Sequence, residues 1–184
     1  MGTKLLSNGN LKIGNDTLIF NMCSATDCPS RRLGLCKIPD RCYAMKAERC
    51  YPQVLPYRRR QEELWLHSSS DELFKYIEPM LSKRIKYFRF SEAGDFRTQD
   101  DINKMSALAD KLAEKGVISY GYTARNDLDF SVVGSNLCIN GSSFRVHNSF
   151  TATDNPNGLV CRGNCRECVW CKTKKGLDIK VRIH

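Results

Sequence analysis

The segments Ile85-Lys-Tyr-Phe-Arg-Phe90 and Val117-Ile-Ser-Tyr-Gly-Tyr122 decide the fold, because both are rich in the aromatic and β-branched residues of strands. Between them, Thr98 and Asp101 have the spacing of a helix start, and Gly116 follows the last helical turn. A strand–helix–strand unit of this kind predicts a parallel connection. We therefore expect an α/β fold with a mainly parallel sheet and flanking helices. The apolar residues at helical spacing in this unit are Ile102, Met105, Leu108, Ala109, Leu112 and Ala113.

The length and composition predict a single α/β domain, residues 1–184. A chain of 184 residues with 41% hydrophobic content can bury one core, and a (β/α) barrel of this length could only be truncated. We expect the cysteine-rich N-terminal loop, residues 22–54, and the C-terminal tail, residues 159–175, to pack onto this domain. The sequence has neither a signal peptide nor an apolar run long enough to span a bilayer. It predicts a cytoplasmic protein without a membrane partner and leaves the oligomeric state open.

Ten of the 184 residues are cysteines, and without an export signal these thiols should stay reduced, which favours metal binding over disulfides. The tail carries Cys161-Arg-Gly-Asn-Cys165-Arg-Glu-Cys168-Val-Trp-Cys171, with gaps of three, two and two residues. Bacterial ferredoxins use the same gaps in the reverse order, whereas structural zinc usually takes two separated ligand pairs. The spacing favours an iron–sulfur (4Fe-4S) cluster, with zinc as the alternative cofactor.

The formal charge of +9 is concentrated in the two cysteine-rich parts of the chain. Residues 31–60 hold nine Lys/Arg against two Asp/Glu, and residues 159–184 hold seven against two. Such side chains could offset the negative charge of a thiolate centre and lower the pKa of its thiols. Alternatively, they bind the phosphates of a nucleic acid. The candidate phosphate contacts are Arg58, Arg59, Arg60, Lys172, Lys174 and Lys175.

Polar loops follow both well-defined strands, Ser91-Glu-Ala-Gly-Asp-Phe96 after the first and Tyr122-Thr-Ala-Arg125 at the end of the second. In parallel sheets, ligands bind beyond the carboxyl ends of the strands. If the protein is an enzyme, we expect Asp95, Tyr122 and Arg125 to line its catalytic pocket. The alternative for Asp95 is that it caps the segment that follows.

A series of short motifs runs along the chain: Cys28-Pro29, Cys36, Cys42-Tyr-Ala44, Arg89 with Gly94-Asp-Phe96, and Tyr122-Thr-Ala-Arg125. In this order they resemble a bacteriophage and mobile-element family called gene product 88, from residue 20 to residue 184. The resemblance implies a phage or mobile-element protein located in the host cell cytoplasm, and it implies no settled activity. This chain departs from the family pattern at Glu92-Ala93, which are inserted.

The same N-terminal region looks like the opening of radical S-adenosylmethionine enzymes, in which a strand leads into a loop with three cysteines. In those enzymes the three thiolates hold a 4Fe-4S cluster, and one iron is left open for S-adenosylmethionine. The likeness implies that Ser91 and Gly94 bind this cofactor at a strand end. The superfamily's own cysteine spacing occurs at Cys161, Cys165 and Cys168, at the other end of the chain.

Three hypotheses follow for function. The first is a 4Fe-4S cluster-binding protein that engages nucleic acid. The second is an enzyme similar to radical S-adenosylmethionine enzymes, and the third is a zinc-stabilised interaction domain. The expected metal ligands are Cys28, Cys36, Cys42, Cys161, Cys165, Cys168 and Cys171.

Overall fold

The computed structural model describes residues 5–183 and contains an eight-stranded sheet with helices packed on one face. The strands are β1 (Ser7–Asn8), β2 (Thr17–Phe20), β3 (Tyr87–Phe90), β4 (Ile118–Thr123), β5 (Leu137–Ser142), β6 (Asn148–Thr153), β7 (Leu159–Val160) and β8 (Asp178–Arg182). The helices are α1 (Pro29–Arg32), α2 (Tyr43–Cys50), α3 (Val54–His67), α4 (Ser70–Ile77) and α5 (Gln99–Glu114). Short 3-10 helices span Pro39–Arg41, Glu78–Met80 and Trp170–Lys172.

The order of strands in the sheet is β1-β2-β3-β4-β5-β6-β8-β7, and every pairing except β1 with β2 is parallel. The predicted α/β fold with a mainly parallel sheet and flanking helices is therefore confirmed. From β2 to β6, each strand is added beside the preceding one, as in a (β/α) barrel. In the described part of the chain, the sheet stays open between β1 and β7.

The hydrophobic core lies between the sheet and the helices α3, α4 and α5. Because side chains alternate across a strand, Phe88 and Phe90 of β3 point to this helix face. Trp65 of α3 packs between Phe20 and Phe90, with ring centroids 6.0 and 6.4 Å away. The predicted apolar stripe of α5 completes the core with Ile102, Met105, Leu108, Ala109 and Leu112.

The other face of the sheet, which we call the tail face, is polar and aromatic. It carries Arg89 of β3 beside Tyr120 of β4, and Tyr122 beside Asn140 of β5. The C-terminal tail covers this face: the Lys172 ammonium lies 3.6 Å from the centre of the Tyr87 ring. Phe150 of β6 packs edge-on against Tyr122, with ring centroids 5.1 Å apart. The sheet thus has an apolar side under helices and a polar side under the tail.

The start of α5 differs from the sequence prediction in one detail. Thr98 is the N-cap residue as predicted, but its side chain forms no capping hydrogen bond. Asp101 instead accepts from the Arg97 N–H and from the indole N–H of Trp65, both at 2.6 Å. The carboxylate therefore ties α5 to the buried Trp65 of α3.

Within residues 5–183, no helix is both long and apolar enough to cross a bilayer.

Candidate metal centre

The four cysteines of the tail lie over the tail face: Cys161, Cys165 and Cys168 are in the irregular segment after β7, and Cys171 is in the 3-10 helix Trp170–Lys172. We call Cys161, Cys165, Cys168 and Cys171 the tail thiols. Three of them are tied by their backbones to different parts of the fold: the Cys161 N–H to the Lys180 carbonyl at 2.7 Å, the Cys165 N–H to the Lys12 carbonyl at 2.9 Å, and the Cys171 carbonyl to the Asn140 amide at 2.8 Å. These bonds fix the path of the backbone at three of the four cysteines.

The tail thiols share one electrostatic neighbourhood. Burial raises the pKa of Cys171 to about 12, and a hydrogen bond from the Tyr122 hydroxyl opposes the rise. Charge on Cys161, Cys165 or Cys168 raises this pKa further. The four thiols therefore lie in one region of the tail face, near enough for their charges to act on one another.

The basic side chains near the tail lower the pKa of Cys165, in the direction that the sequence predicts, but burial outweighs them. Burial raises the pKa of Cys165, and the neighbouring Cys161 adds to the rise. The cations of Lys12, Arg89 and Lys172 act in the opposite direction but are outweighed. Loss of water around the thiol penalises the charged form more than these cations favour it. Without a metal, Cys165 is therefore held as the thiol at neutral pH.

A second group of thiols lies beyond the carboxyl ends of β2 and β3. It consists of Cys28, Cys36 and Cys42, which we call the loop thiols. Burial raises the pKa of Cys28 to about 12, and the charge of Asp95 adds to the rise. Burial also raises the pKa of Cys36, with smaller contributions from the charges of Cys42 and Asp95. All ten cysteines are free thiols, so no disulfide competes for either group.

Arg89 contacts residues beside both thiol groups, although it is not among the predicted site residues. Its guanidinium lies 5.1 Å from the centre of the Tyr122 ring, next to Cys171. On the other side, it donates a 3.4 Å hydrogen bond to the hydroxyl of Tyr43, which follows Cys42 in sequence. The buried Nε of Arg89 has no hydrogen-bond partner among the described residues. The alternation Tyr-Phe-Arg-Phe in β3 is the sequence signal that could have placed this cation on the tail face.

Asp95 is buried and links the N-terminal loop to the ends of β3 and β4. One carboxylate oxygen accepts from the Ser30 hydroxyl at 2.5 Å and the Ala124 N–H at 2.7 Å. The other accepts from the Thr123 hydroxyl at 2.7 Å and the Phe96 N–H at 2.9 Å. Burial raises the pKa of Asp95 even against these four donors. The geometry gives Asp95 a structural role, and its catalytic role stays a prediction.

Arg125 is likewise satisfied inside the protein. Its guanidinium forms an ion pair with Asp127 at 2.7 Å and donates to the carbonyl oxygens of Phe96 and Arg97 at 2.5 and 2.8 Å. Arg125 thus fixes the loop after β3, beside Asp95. Tyr122 does not line a common pocket with these two residues, because its side chain is on the tail face beside Cys171.

Ser91 and Gly94, the two residues expected to bind S-adenosylmethionine, pack against the start of the cysteine loop. The Ser91 hydroxyl accepts a 3.5 Å hydrogen bond from the Met22 N–H. Gly94 has a φ of +79°, and a Cβ there would lie 2.3 Å from the Cys23 Sγ. Only glycine allows this close approach without a shift in the neighbouring chain.

Several of the predicted phosphate contacts are used inside the protein instead. Arg58 is 4% exposed and forms a buried ion pair with Glu48 at 2.8 Å. Its side chain lies on a different side of α3 from those of Arg59 and Arg60, which are exposed. Arg59 pairs with Asp27 at 3.1 Å. The Lys172 ammonium donates to the Cys165 carbonyl at 2.9 Å, and the Lys174 ammonium donates to the Gly134 carbonyl at 2.7 Å. Arg60 and Lys175 remain exposed.

The tail thiols fit a thiolate-bound metal in chemistry, number and charge. In their present side-chain positions, no three Cys, His, Asp or Glu residues of the described part meet at the spacing of metal ligands. The Arg89 guanidinium places positive charge beside them, which would offset the negative charge of a tetrathiolate centre. Metal binding therefore requires the four side chains to turn toward a common point, along a backbone that is already anchored.

The fold and the two thiol groups define an α/β protein with cysteine-rich segments at the strand ends and on one face of a parallel sheet. Its sequence matches the profile of the family Gene product 88 over residues 3–149, and the chain belongs to this family. Membership supports a protein of bacteriophage type, as the motifs predicted. The match includes the loop thiols and Arg89 and ends before Cys161. Neither the curated proteins nor the solved structures contain a match to the chain.

Proposed function

We propose that this family member binds a 4Fe-4S cluster through the tail thiols Cys161, Cys165, Cys168 and Cys171. The observation that carries the proposal is the set of four free thiols on a short tail whose backbone is anchored at Cys161, Cys165 and Cys171. Thiolates are the ligands of such clusters, and four from one chain are sufficient. The cluster also requires reduced thiols, in agreement with the expected host cell cytoplasm.

The charge of the surroundings supports the same centre. Arg89 is positioned to compensate a negative cluster, and its buried Nε has no hydrogen-bond partner within residues 5–183. The Lys172 ammonium is held beside the tail by the Cys165 carbonyl. When bound, a cluster of this type supplies one-electron transfer. The residues of this chain would hold the cluster, balance its charge and cover it with Tyr120 and Tyr122 from the sheet.

The experiment is anaerobic purification or reconstitution of the full chain, followed by measurement of iron, acid-labile sulfide, zinc and visible absorption. Cys165→Ser and Cys171→Ser test the tail thiols, and Cys50→Ser is the matched control because Cys50 is exposed on α2 and outside both groups. We expect the two tail variants to lose iron and colour and the control to keep both. Zinc without sulfide in the wild type, or equal iron in all variants, would contradict the proposal.

The loop thiols support a second candidate function, an iron–sulfur site that binds S-adenosylmethionine. The specific observation is their position beyond the carboxyl end of β2 and beside Asp95, where parallel sheets bind ligands. Calorimetric titration of the reconstituted protein with S-adenosylmethionine tests this candidate. Binding that disappears in Cys36→Ser but persists in Cys50→Ser would support it, and absence of binding in the wild type would reject it.

A further inference from the structure

A basic cleft lies at the amino ends of β2 and β3, at the edge of the sheet opposite the loop thiols. Its cavity has a volume of about 590 Å3 and is formed by three separate parts of the chain. These parts are the β1–β2 hairpin, the segment that enters β3, and the tail beside Cys165. We call it the amino-edge cleft, and the residues that define it are Gly9, Asn10, Asp16, Arg84, Lys86 and Arg166.

The cations of the amino-edge cleft are available to a ligand. Arg84, Lys86 and Arg166 are exposed, and none of them forms an ion pair within residues 5–183. The only carboxylate among the lining residues is Asp16, which accepts a hydrogen bond from the Thr17 hydroxyl at 3.4 Å. The cleft therefore has an excess of positive charge, in contrast to α3, where Arg58 and Arg59 are paired with acidic residues.

The shape of the hairpin rim suits a polymer that carries both charge and apolar surface. Asn10 organises the turn, because its side-chain oxygen accepts from the backbone N–H groups of Lys12 and Ile13, both at 3.0 Å. This turn holds Leu11 outward at the cleft, where the residue is 88% exposed. An exposed aliphatic side chain beside unpaired cations can pack on a sugar or base while the cations contact phosphates.

We propose that the amino-edge cleft binds the phosphate backbone of a nucleic acid. Exposed cations hold a single small anion weakly, but a chain of phosphates releases counterions at each contact and so adds up their effects. The guanidinium groups of Arg84 and Arg166 also match phosphate oxygens in a bidentate geometry. This inference goes beyond the cluster proposal and does not depend on it, because none of the three cations is a metal ligand.

The test is binding of short labelled oligonucleotides, single-stranded and double-stranded, to the full chain, followed by fluorescence anisotropy over a range of salt concentrations. The test variant is Arg84→Gln with Lys86→Gln. The control is Lys75→Gln with Arg145→Gln, which removes the same charge from exposed positions outside the cleft and outside the predicted phosphate contacts. Since all four side chains are exposed, thermal unfolding should be unchanged in both variants, which shows that folding is intact.

We expect the cleft variant to reduce the slope of log affinity against log salt by about 1.4 for single strands or about 1.8 for duplexes, since two phosphate contacts are removed. The control should keep the slope of the wild type. Equal loss in both variants, or no binding of either oligonucleotide at low salt, would overturn the proposal. Equal affinity for polyglutamate would also overturn it, because the cleft would then recognise any acidic polymer.

Discussion

The guanidinium of Arg89 lies 5.1 Å from the centre of the Tyr122 ring, and this pair is placed between the two thiol groups of the protein. Neighbouring parallel strands, β3 and β4, supply the two residues on the same face. The cation stacks on the ring, and one of its buried nitrogens has no hydrogen-bond partner in the part of the chain that the structure describes. The arrangement explains why a negatively charged centre would be stable there.

Replacement of Arg89 by Met should separate metal retention from stability of the metal-free fold. Met has a similar length and no charge, so it removes a cation with one unsatisfied nitrogen together with the Tyr122 stacking and the weak Tyr43 hydrogen bond, and the stability of the metal-free protein should change little. The metal-loaded protein should lose iron faster during dialysis against a chelator. Arg89→Lys keeps the charge and is the control, with intermediate iron loss. Iron retention in Arg89→Met equal to the wild type would refute the charge-compensating role.

Loss of the buried Glu48 carboxylate should strongly destabilise the protein. Glu48 pairs with Arg58 at 2.8 Å and accepts from the N–H groups of Ala25 and Thr26, so it ties the cysteine loop to α2 and α3. In Glu48→Gln the buried Arg58 loses its close partner and keeps Glu92 at 3.9 Å, which should cost about 3 kcal/mol in the free energy of unfolding. The addition of Arg58→Met should recover part of this loss. Urea denaturation of the three proteins measures the effect, and an unchanged midpoint in Glu48→Gln would show that the pair has no structural role.

Glu48 should also make stability depend on pH in the acidic range. Burial opposes ionisation, but hydrogen bonds from Arg58, Ala25 and Thr26 outweigh it and hold the pKa of Glu48 below its usual range. The unfolded chain then binds a proton at a higher pH than the native protein does, so stability falls as the pH decreases from the ordinary glutamate pKa to the native one. The difference between wild type and Glu48→Gln should shrink across this window in urea denaturation. A difference that is independent of pH would contradict the assignment.

Gly94→Ala should destabilise the protein more than Gly34→Ala. Both glycines have positive φ angles, +79° and +70°, and alanine in this region costs about 1–2 kcal/mol. At Gly94 the new Cβ would also meet the buried Cys23 Sγ at 2.3 Å, whereas nothing lies within 4 Å of a Cβ at Gly34. The comparison of unfolding free energies isolates the close approach from the backbone strain. Equal losses of unfolding free energy would mean that the loop after β3 can shift away from the new Cβ without further destabilising the protein.

The central part of the fold could be predicted because the local pattern and the tertiary structure agree. The unit from β3 through α5 to β4 has strong strand residues, one apolar helix stripe and a terminal Gly116, and the structure contains each of these elements. The strands β1 and β7 were not predicted, because each has only two residues and no periodic pattern. Their pairing depends on contacts from distant parts of the chain.

The candidate sites could be predicted only in part, because the sequence gives spacing but not direction. The cysteine spacing indicated the tail thiols and the family resemblance indicated the loop thiols, yet neither could indicate that the tail covers the polar face of the sheet beside Arg89. Three consecutive arginines in α3 gave a similar difficulty: Arg58 is buried, Arg59 is paired and Arg60 is exposed. The amino-edge cleft was missed because its cations come from segments far apart in sequence.

The most direct test of the central proposal is the stoichiometry of iron and acid-labile sulfide in the anaerobically prepared wild-type chain. A cluster on the tail thiols predicts equal amounts of the two, about four of each per chain for one 4Fe-4S centre. If the loop thiols hold a second centre, the amounts should double and fall to half in Cys36→Ser. A protein that contains zinc and no sulfide, or that binds no metal after reconstitution, would contradict the account.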